Sequence, residues 1–214
     1  MHFTRSRAAL LSAALLTVTL TACAPPGQEG DPGVAVDYAG SAITNSQVDA
    51  VYQAWLDDTL GQDVANRRQV LTIELLRPDL LAKCAELGYP VTRQVAEDYA
   101  EQWLQQFKGL DTEPSDEVIE ATQGILALYI VASIDPSLES LRAISDVVAE
   151  QSVSSPRSGA YSTDALLASV QAAAQTADQQ QLGTQFSATA YQNVSAFIDE
   201  DRSWFDRGTV ASLP

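Results

Sequence analysis

Apolar residues recur at steps of three and four along most of this chain, and short polar or glycine-containing breaks divide them into separate stretches. Such spacing places side chains on one face of an α-helix. The first stretch follows Thr44 and Gln47, which have the spacing of a capping box, and it extends to Gly61. We therefore predict a mainly α fold in which each helix buries an apolar face.

Four more helices are predicted before residue 151. The second covers about residues 64–87, and Pro78 should kink it or divide it in two because proline lacks a backbone donor and clashes with the preceding turn. The next three helices are expected to start at Thr92, Ser115 and Pro136.

The third and fourth predicted helices differ in how their apolar residues are distributed. The fourth is apolar almost all round between residues 125 and 134, so we place it at the centre of the fold. In the third, the residues expected to face the core recur at four-residue steps: Val95, Tyr99, Trp103 and Phe107.

Short strands and further helices are predicted on either side of this region. Alternating apolar residues at 34–38, followed by a turn at 39–41, predict a strand and a small hairpin. Residues 151–162 are polar and predict a loop or short strand. Two helices should follow at 164–182 and about 187–205. The predicted fold is thus mainly α, with a hairpin before the helices and a helical appendage after them.

Residues 1–22 have the order of a cleaved export signal. Two arginines precede an apolar stretch at 8–20, which would form a helix of about 20 Å. That length is short of the roughly 30 Å hydrocarbon core of a bilayer. The following L-T-A-C box resembles that of bacterial lipoproteins. The resemblance implies cleavage between Ala22 and Cys23 and acylation of the Cys23 thiol, which would anchor the protein on the extracytoplasmic face of the cell membrane.

The chain is predicted to have four parts. Residues 1–22 are the signal, and residues 23–33 are the lipidated cysteine with a tether of three prolines and three glycines. Residues 34–150 form the main helical domain. Residues 151–214 contribute a loop and C-terminal helices that we expect to pack on the same domain.

Charge limits the partners of the mature chain. Removal of two arginines with the signal leaves 10 basic and 28 acidic residues, a formal charge of −18. This surface repels phosphate backbones and anionic lipid head groups. Nucleic acid is therefore not a predicted partner, and membrane attachment is assigned to acyl chains.

Histidine and cysteine usage limits the chemistry. The only histidine, His2, lies in the signal, so the mature chain has no imidazole for a Ser-His-Asp or Cys-His system or for metal binding. With Cys23 acylated, Cys84 is the only thiol, so no intramolecular disulfide or cysteine zinc site can form. Apolar neighbours at helical steps predict that Cys84 is buried and inert, although pairing between chains is an alternative. No catalytic residue, cofactor or metal is predicted.

Two groups of residues have both a functional and a structural interpretation. Acidic runs at 57–58, 97–98 and 199–201 could in principle do acid–base work, but neighbouring helical positions point about 100° apart, which favours solvated faces. Aromatic residues at helical spacing could form a groove for apolar segments, although core packing is favoured: Tyr52, Trp55, Tyr99, Trp103 and Phe107.

The pattern of helix starts resembles that of a chaperone family. Before the first helix, the chain has the form I-T-x-x-x-V-D from Ile43 to Asp49. The second helix ends near Ala82 or Ala85 and Gly88, and the next begins at Val91 and Thr92. Over residues 34–150 this order resembles the N-terminal domain of the periplasmic chaperone SurA and its relatives.

The resemblance implies a helical cradle that holds unfolded exported proteins, often with a parvulin-type prolyl isomerase domain attached. P-R-S-G-A-Y at 156–161 is similar to a strand end in actinobacterial lipoproteins of this type. Residues 151–214 have neither the histidines nor the strands of a parvulin module, so isomerase activity is not carried over.

These observations favour a membrane-anchored lipoprotein that acts without catalysis as a holding chaperone or assembly factor for exported proteins. The alternative is an envelope scaffold or adaptor that binds one folded partner. An enzyme that uses carboxylates alone is the third hypothesis.

Overall fold

The structure is a computed structural model that describes residues 33–62, 65–109, 113–179 and 187–198. The predicted signal and the lipidation site Cys23 lie outside the described residues. Helices dominate the described part, and short strands form one sheet of three strands and one of two strands. The predicted mainly α class is therefore confirmed.

The strands are β1 (Val34–Tyr38), β2 (Ser41–Thr44), β3 (Ser152–Ser154), β4 (Ala160–Tyr161) and β5 (Phe197–Ile198). The α-helices are α1 (Asn45–Asp58), α2 (Arg67–Glu86), α3 (Arg93–Lys108), α4 (Asp116–Ile134), α5 (Glu139–Gln151) and α6 (Thr163–Gln179). A 3₁₀ helix covers Ser187–Asn193.

The hairpin and the first helix start are as predicted. Strands β1 and β2 pair antiparallel, with Tyr38 opposite Ser41. The Thr44 hydroxyl accepts the backbone N–H of Gln47, and the Gln47 side chain accepts the backbone N–H of Thr44. This reciprocal pair satisfies two N–H groups at the start of α1.

Helix α2 begins later than predicted, and Pro78 does not divide it. Asn66 is the N-cap, since its side chain accepts the backbone N–H groups of Arg68 and Gln69 at 3.0 Å. The helix then continues through Pro78 to Glu86. Proline removes a single i to i−4 hydrogen bond. Buried leucines on both sides of Pro78 hold the helix against the core and offset this loss.

Helix α4 is central, as predicted. It packs against α1, α2, α3, α5 and the 3₁₀ helix. By length and composition it is also long and apolar enough to cross a membrane, but most of its apolar stretch is buried in the protein. At Gly124 an added Cβ atom would lie 2.5 Å from Cγ2 of Ile73, so glycine permits the close approach of α2.

The buried face of α3 differs from the predicted one. Val95 is 49% exposed, whereas Ala96, Ala100 and Leu104 are fully buried and Trp103 nearly so. Small alanines let the α3 backbone pack closely on α4, and this contact shifts the buried stripe by one position from Val95. Large aromatic residues dominated the sequence pattern and hid the alanine stripe.

Helix α5 begins at Glu139 and not at Pro136. The carboxylate of Asp135 accepts the backbone N–H groups of Ser137 and Ser140, at 3.2 and 2.8 Å. Leu138 has a φ of 59°, and this left-handed backbone conformation prevents the helix from starting before Glu139. Burial of its side chain stabilises this conformation.

The predicted helix at 187–205 is wrong. After the 3₁₀ helix, the chain is extended and forms β5, which pairs with β4; residues after 198 lie outside the described part. The backbone N–H of Ser195 donates to the Ser169 hydroxyl at 3.0 Å, and that of Ala196 donates to the Thr72 hydroxyl at 2.9 Å. Tertiary hydrogen bonds thus replace helical ones.

The described residues after 151 share the sheet and core of the preceding region. Strand β3 pairs with β1, which gives the order β2-β1-β3. The Ser158 hydroxyl donates to the carbonyl of Ala35 at 2.8 Å, and Nε of Arg68 donates to the carbonyl of Ser158 at 3.2 Å. Strand β1 is therefore held from both sides.

Candidate functional site

The aromatic residues predicted to pack in the core do so. Trp55 and Trp103 are buried and meet edge-to-face, with ring centroids 4.9 Å apart. Trp103 meets the half-buried Phe107 in the same way at 5.4 Å. Of the two interpretations of these aromatic residues, core packing is therefore confirmed, and they do not form an aromatic groove at this position.

Asp58 is buried, whereas the sequence predicted a solvated acidic face for residues 57–58. It is only 7% exposed and accepts hydrogen bonds from Nζ of Lys108 at 2.7 Å and from the backbone and hydroxyl of Ser115 at 2.9 and 2.8 Å. Burial acts to raise the pKa of Asp58, but the hydrogen bonds from Lys108 and Ser115 outweigh it and hold the pKa below its ordinary value. The neighbouring Asp57 is exposed.

Cys84 is a free, fully buried thiol, as predicted. Its Sγ atom donates to the carbonyl of Ala127 on α4 at 3.5 Å. Burial raises the pKa of the Cys84 thiol. The other predicted site residues, Ala22 and Cys23, and the acidic run at 199–201 lie outside the described residues.

An open groove lies between α2 and α5, and we call it the α2–α5 groove. Its volume is about 570 Å³, which is within the range of sites that bind small molecules or side chains. The lining residues from α2 are three and four positions apart, so they lie on one face of that helix. The lining residues are Asp79, Ala82, Lys83, Glu86, Glu139, Ser140, Ala143 and Ile144.

The lining of the α2–α5 groove combines apolar side chains with an excess of negative charge. Nζ of Lys83 lies 3.1 Å from Oε2 of Glu86, so this cation is already paired. Asp79 accepts the Tyr38 hydroxyl at 3.0 Å, and Glu139 is exposed at the start of α5. Three carboxylates and one ammonium give the lining a formal charge of −2.

Hydrogen bonds attach the walls of the groove to the rest of the fold. The Tyr38–Asp79 bond joins β1 to α2. On α5, the hydroxyl of Ser145 bonds to the hydroxyl of Tyr161 at 2.8 Å and to that of Thr163 at 3.0 Å. Burial, followed by the hydrogen bond to Asp79, raises the pKa of Tyr38. Both walls are therefore positioned by hydrogen bonds to residues that do not line the groove, Tyr38 on one side and Tyr161 and Thr163 on the other.

A second cavity, of about 220 Å³, lies between the hairpin and α2. Its charged lining residues are Glu74 and Arg77, which pair at 3.2 Å, and Arg77 also pairs with Glu120 at 3.0 Å. Burial raises the pKa of Glu74 despite Arg77. This cavity is smaller and has no formal excess of charge, so the α2–α5 groove is the better candidate site.

Metal-binding side chains are not clustered in the described part of the chain. Among the residues that the structure describes, no group of three histidine, cysteine, aspartate or glutamate side chains is placed to hold a metal ion. Comparison with models of protein families, with curated proteins and with solved structures gives no match to this chain.

Proposed function

We propose that the protein is a membrane-anchored lipoprotein that binds segments of exported proteins in the α2–α5 groove, as a holding chaperone or assembly factor without a catalytic step. The observation that carries the proposal is the open groove itself, whose lining combines the apolar Ala82, Ala143 and Ile144 with charged side chains. A groove whose lining combines apolar and polar side chains is suited to polypeptide binding.

The apolar face of α5 continues beyond the groove lining. Val147 lies one turn after Ala143 and is 44% exposed. A bound segment would cover these side chains and gain free energy at about 25 cal/mol per Å² of apolar surface removed from water. The small number of such residues supports weak, reversible binding, which a holding function requires.

The proposed anchor brings the groove close to the membrane. A tether of residues 24–33 reaches at most about 33 Å when fully extended. It leads into β1, whose Tyr38 contacts Asp79 in the groove. Client segments emerging at the membrane surface would lie within this reach.

The sequence resemblance to SurA-type N-terminal domains supports the same proposal, since that family holds unfolded exported proteins in a helical cradle. We do not extend the resemblance to prolyl isomerisation, because the mature sequence lacks histidine. The expected result is that the purified protein leaves X-Pro isomerisation at its uncatalysed time of tens of seconds or longer.

An adaptor for one folded partner is the second candidate. In the described part of the chain, the large exposed apolar side chains outside α5 lie on different elements: Leu60, Tyr89, Val95, Ile134, Val153 and Ile198. A limited binding surface favours one defined epitope over many unfolded clients.

An aggregation assay tests the first candidate. The full-length protein should slow the aggregation of several unrelated unfolded exported proteins at a near-equal molar ratio. Ala143→Arg places a long side chain in the groove and should abolish this effect. Ala172→Arg alters an exposed alanine of α6 outside the groove lining and should leave it intact. Unchanged aggregation with all clients, together with tight binding of one folded envelope protein, would favour the adaptor instead.

A further inference from the structure

We infer that the α2–α5 groove selects short extended segments in which an apolar residue is flanked by lysine or arginine. This inference rests on the proposed polypeptide-binding function and names the chemistry of the segment that is bound. Its basis is the charge of the groove lining, the pattern of α5 and the length of the α2 wall.

The charged residues of the groove lining favour a basic ligand. Of its four charged residues, Lys83 already pairs with Glu86, while Asp79 receives a neutral donor from Tyr38. Glu139 stands exposed at the opposite wall. A lysine or arginine that enters the groove therefore meets Asp79 and Glu139, which have no ion-pair partner among the residues that the structure describes, whereas an acidic residue is repelled.

The acidic residues of α5 strengthen the preference of the groove for basic segments. Asp146 and Glu150 are exposed and follow Glu139 at steps of seven and four residues, so the three carboxylates share one side of the helix with Ala143 and Val147. The single basic residue of α5, Arg142, pairs with Asp164 of α6 at 3.3 Å. Apolar and acidic positions thus alternate along this side of α5, which starts in the groove and continues beyond its lining. This pattern complements a segment that alternates apolar and basic residues.

The length of the wall sets the size of the segment. Asp79 and Glu86 are seven residues apart on α2, a rise of about 10 Å at 1.5 Å per residue. An extended peptide advances about 3.3 Å per residue, so about three residues cover this distance. A basic–apolar–basic triplet is therefore the unit that fits the groove, and its second basic residue would compete with Lys83 for Glu86 in a solvent-exposed pair.

Peptide probes measure the selection directly. We would use three fluorescein-labelled nine-residue peptides with Arg-Leu-Lys, Ser-Leu-Ser or Glu-Leu-Asp at the centre of a Gly/Ser sequence. Binding to the full-length protein is followed by fluorescence anisotropy at low and high salt. The basic probe should bind about fivefold or more tightly than the neutral one, since exposed charge pairs contribute modestly, and the acidic probe should bind weakest.

A charge-matched pair of double variants separates the groove from the general field of this acidic protein. Glu86→Gln with Glu139→Gln removes two carboxylates from the lining, while Asp98→Asn with Glu113→Gln removes two exposed carboxylates elsewhere. The groove variant should lose most of the preference for the basic probe. The matched variant should keep it within about twofold.

Three results would overturn the inference. Equal binding of all three probes, abolished by Ala143→Arg, would leave polypeptide binding in place and refute charge selection. Equal weakening by both double variants would assign the preference to overall charge. If no probe binds and Ala143→Arg changes nothing in the aggregation assay, both this inference and the proposed function are refuted.

Discussion

At the residue scale, Asp58 shows how one carboxylate joins three helices. It lies at the end of α1 and contacts Lys108 at the end of α3 and Ser115 at the N-cap of α4. Its charge also lies near the positive end of the α4 macrodipole. These contacts compensate for the cost of burying the Asp58 carboxylate. The neighbouring Asp57 is exposed to solvent.

We expect Asp58→Asn to destabilise the protein by about 1.5–3 kcal/mol at neutral pH, because hydrogen bonds to a charged group are lost. The folded pKa of Asp58 is lowered, so its contribution is complete above the unfolded value of about 3.9 and is lost as pH falls through the folded pKa. Urea unfolding from pH 7 down to the lowest pH at which both proteins fold measures the difference.

The control for this prediction is Asp57→Asn, which should change stability by less than about 0.5 kcal/mol. A difference between wild type and Asp58→Asn that does not shrink on acidification would contradict the assignment to the charged form.

Cys84 should react with iodoacetamide only after unfolding. Its side chain is fully buried and burial raises its pKa, so both access and thiolate formation are suppressed in the native state. Mass spectrometry of native and guanidinium-treated samples gives the extent of labelling. Rapid native labelling, or a dimer that dissociates on reduction, would refute an inert thiol.

At the scale of elements, the crossing of α2 and α4 depends on Gly124. A Cβ atom there would approach Cγ2 of the buried Ile73 to 2.5 Å, and a β-branched side chain has little freedom to move away. Helix propensity alone favours alanine over glycine by about 1 kcal/mol. The steric conflict and the propensity therefore act in opposite directions.

We predict that the conflict prevails, so that Gly124→Ala destabilises the protein by about 1–3 kcal/mol as an overpacking substitution. In an Ile73→Ala background, the Cγ2 atom is absent and Gly124→Ala should instead be stabilising. Denaturant unfolding of the four proteins of this cycle gives the coupling energy. Additive effects would contradict a direct contact between the two positions.

Local signals predicted elements well where local hydrogen bonds define them. Thr44 and Thr92 mark the starts of α1 and α3 as expected. Prediction failed at α5 and at residues 187–198, because Asp135 redirects the chain and because Thr72 and Ser169 provide distant hydrogen-bond partners. No periodicity reports such partners.

The candidate site was beyond prediction from sequence for a similar reason. Its two walls are about sixty residues apart in the chain, and the polar face of α2 has no signal that separates a groove wall from a solvated surface. The acidic composition of the chain was the one relevant indication. The composition predicted an excess of negative charge on the protein surface, but it did not predict that part of this charge lines the α2–α5 groove.

At the scale of the whole molecule, we propose that the lipid anchor holds the protein at the membrane and that the helical body binds polypeptide segments. The mature chain expected after signal removal has a formal charge of −18, which provides no attraction to anionic lipids. We therefore predict that Cys23→Ala moves the protein from the membrane fraction to the soluble fraction after signal removal. Recovery of the processed variant in membranes washed with high salt would show that another element holds it there.

The central claim is that polypeptide segments occupy the α2–α5 groove, and site-specific photocrosslinking in intact cells tests it most directly. A photoreactive residue replaces Ala143 in the groove or, as the control, the exposed Ala172 of α6. The account predicts crosslinks to several exported proteins from position 143 and few from position 172. Equal crosslinking from both positions, or none from position 143, would contradict it.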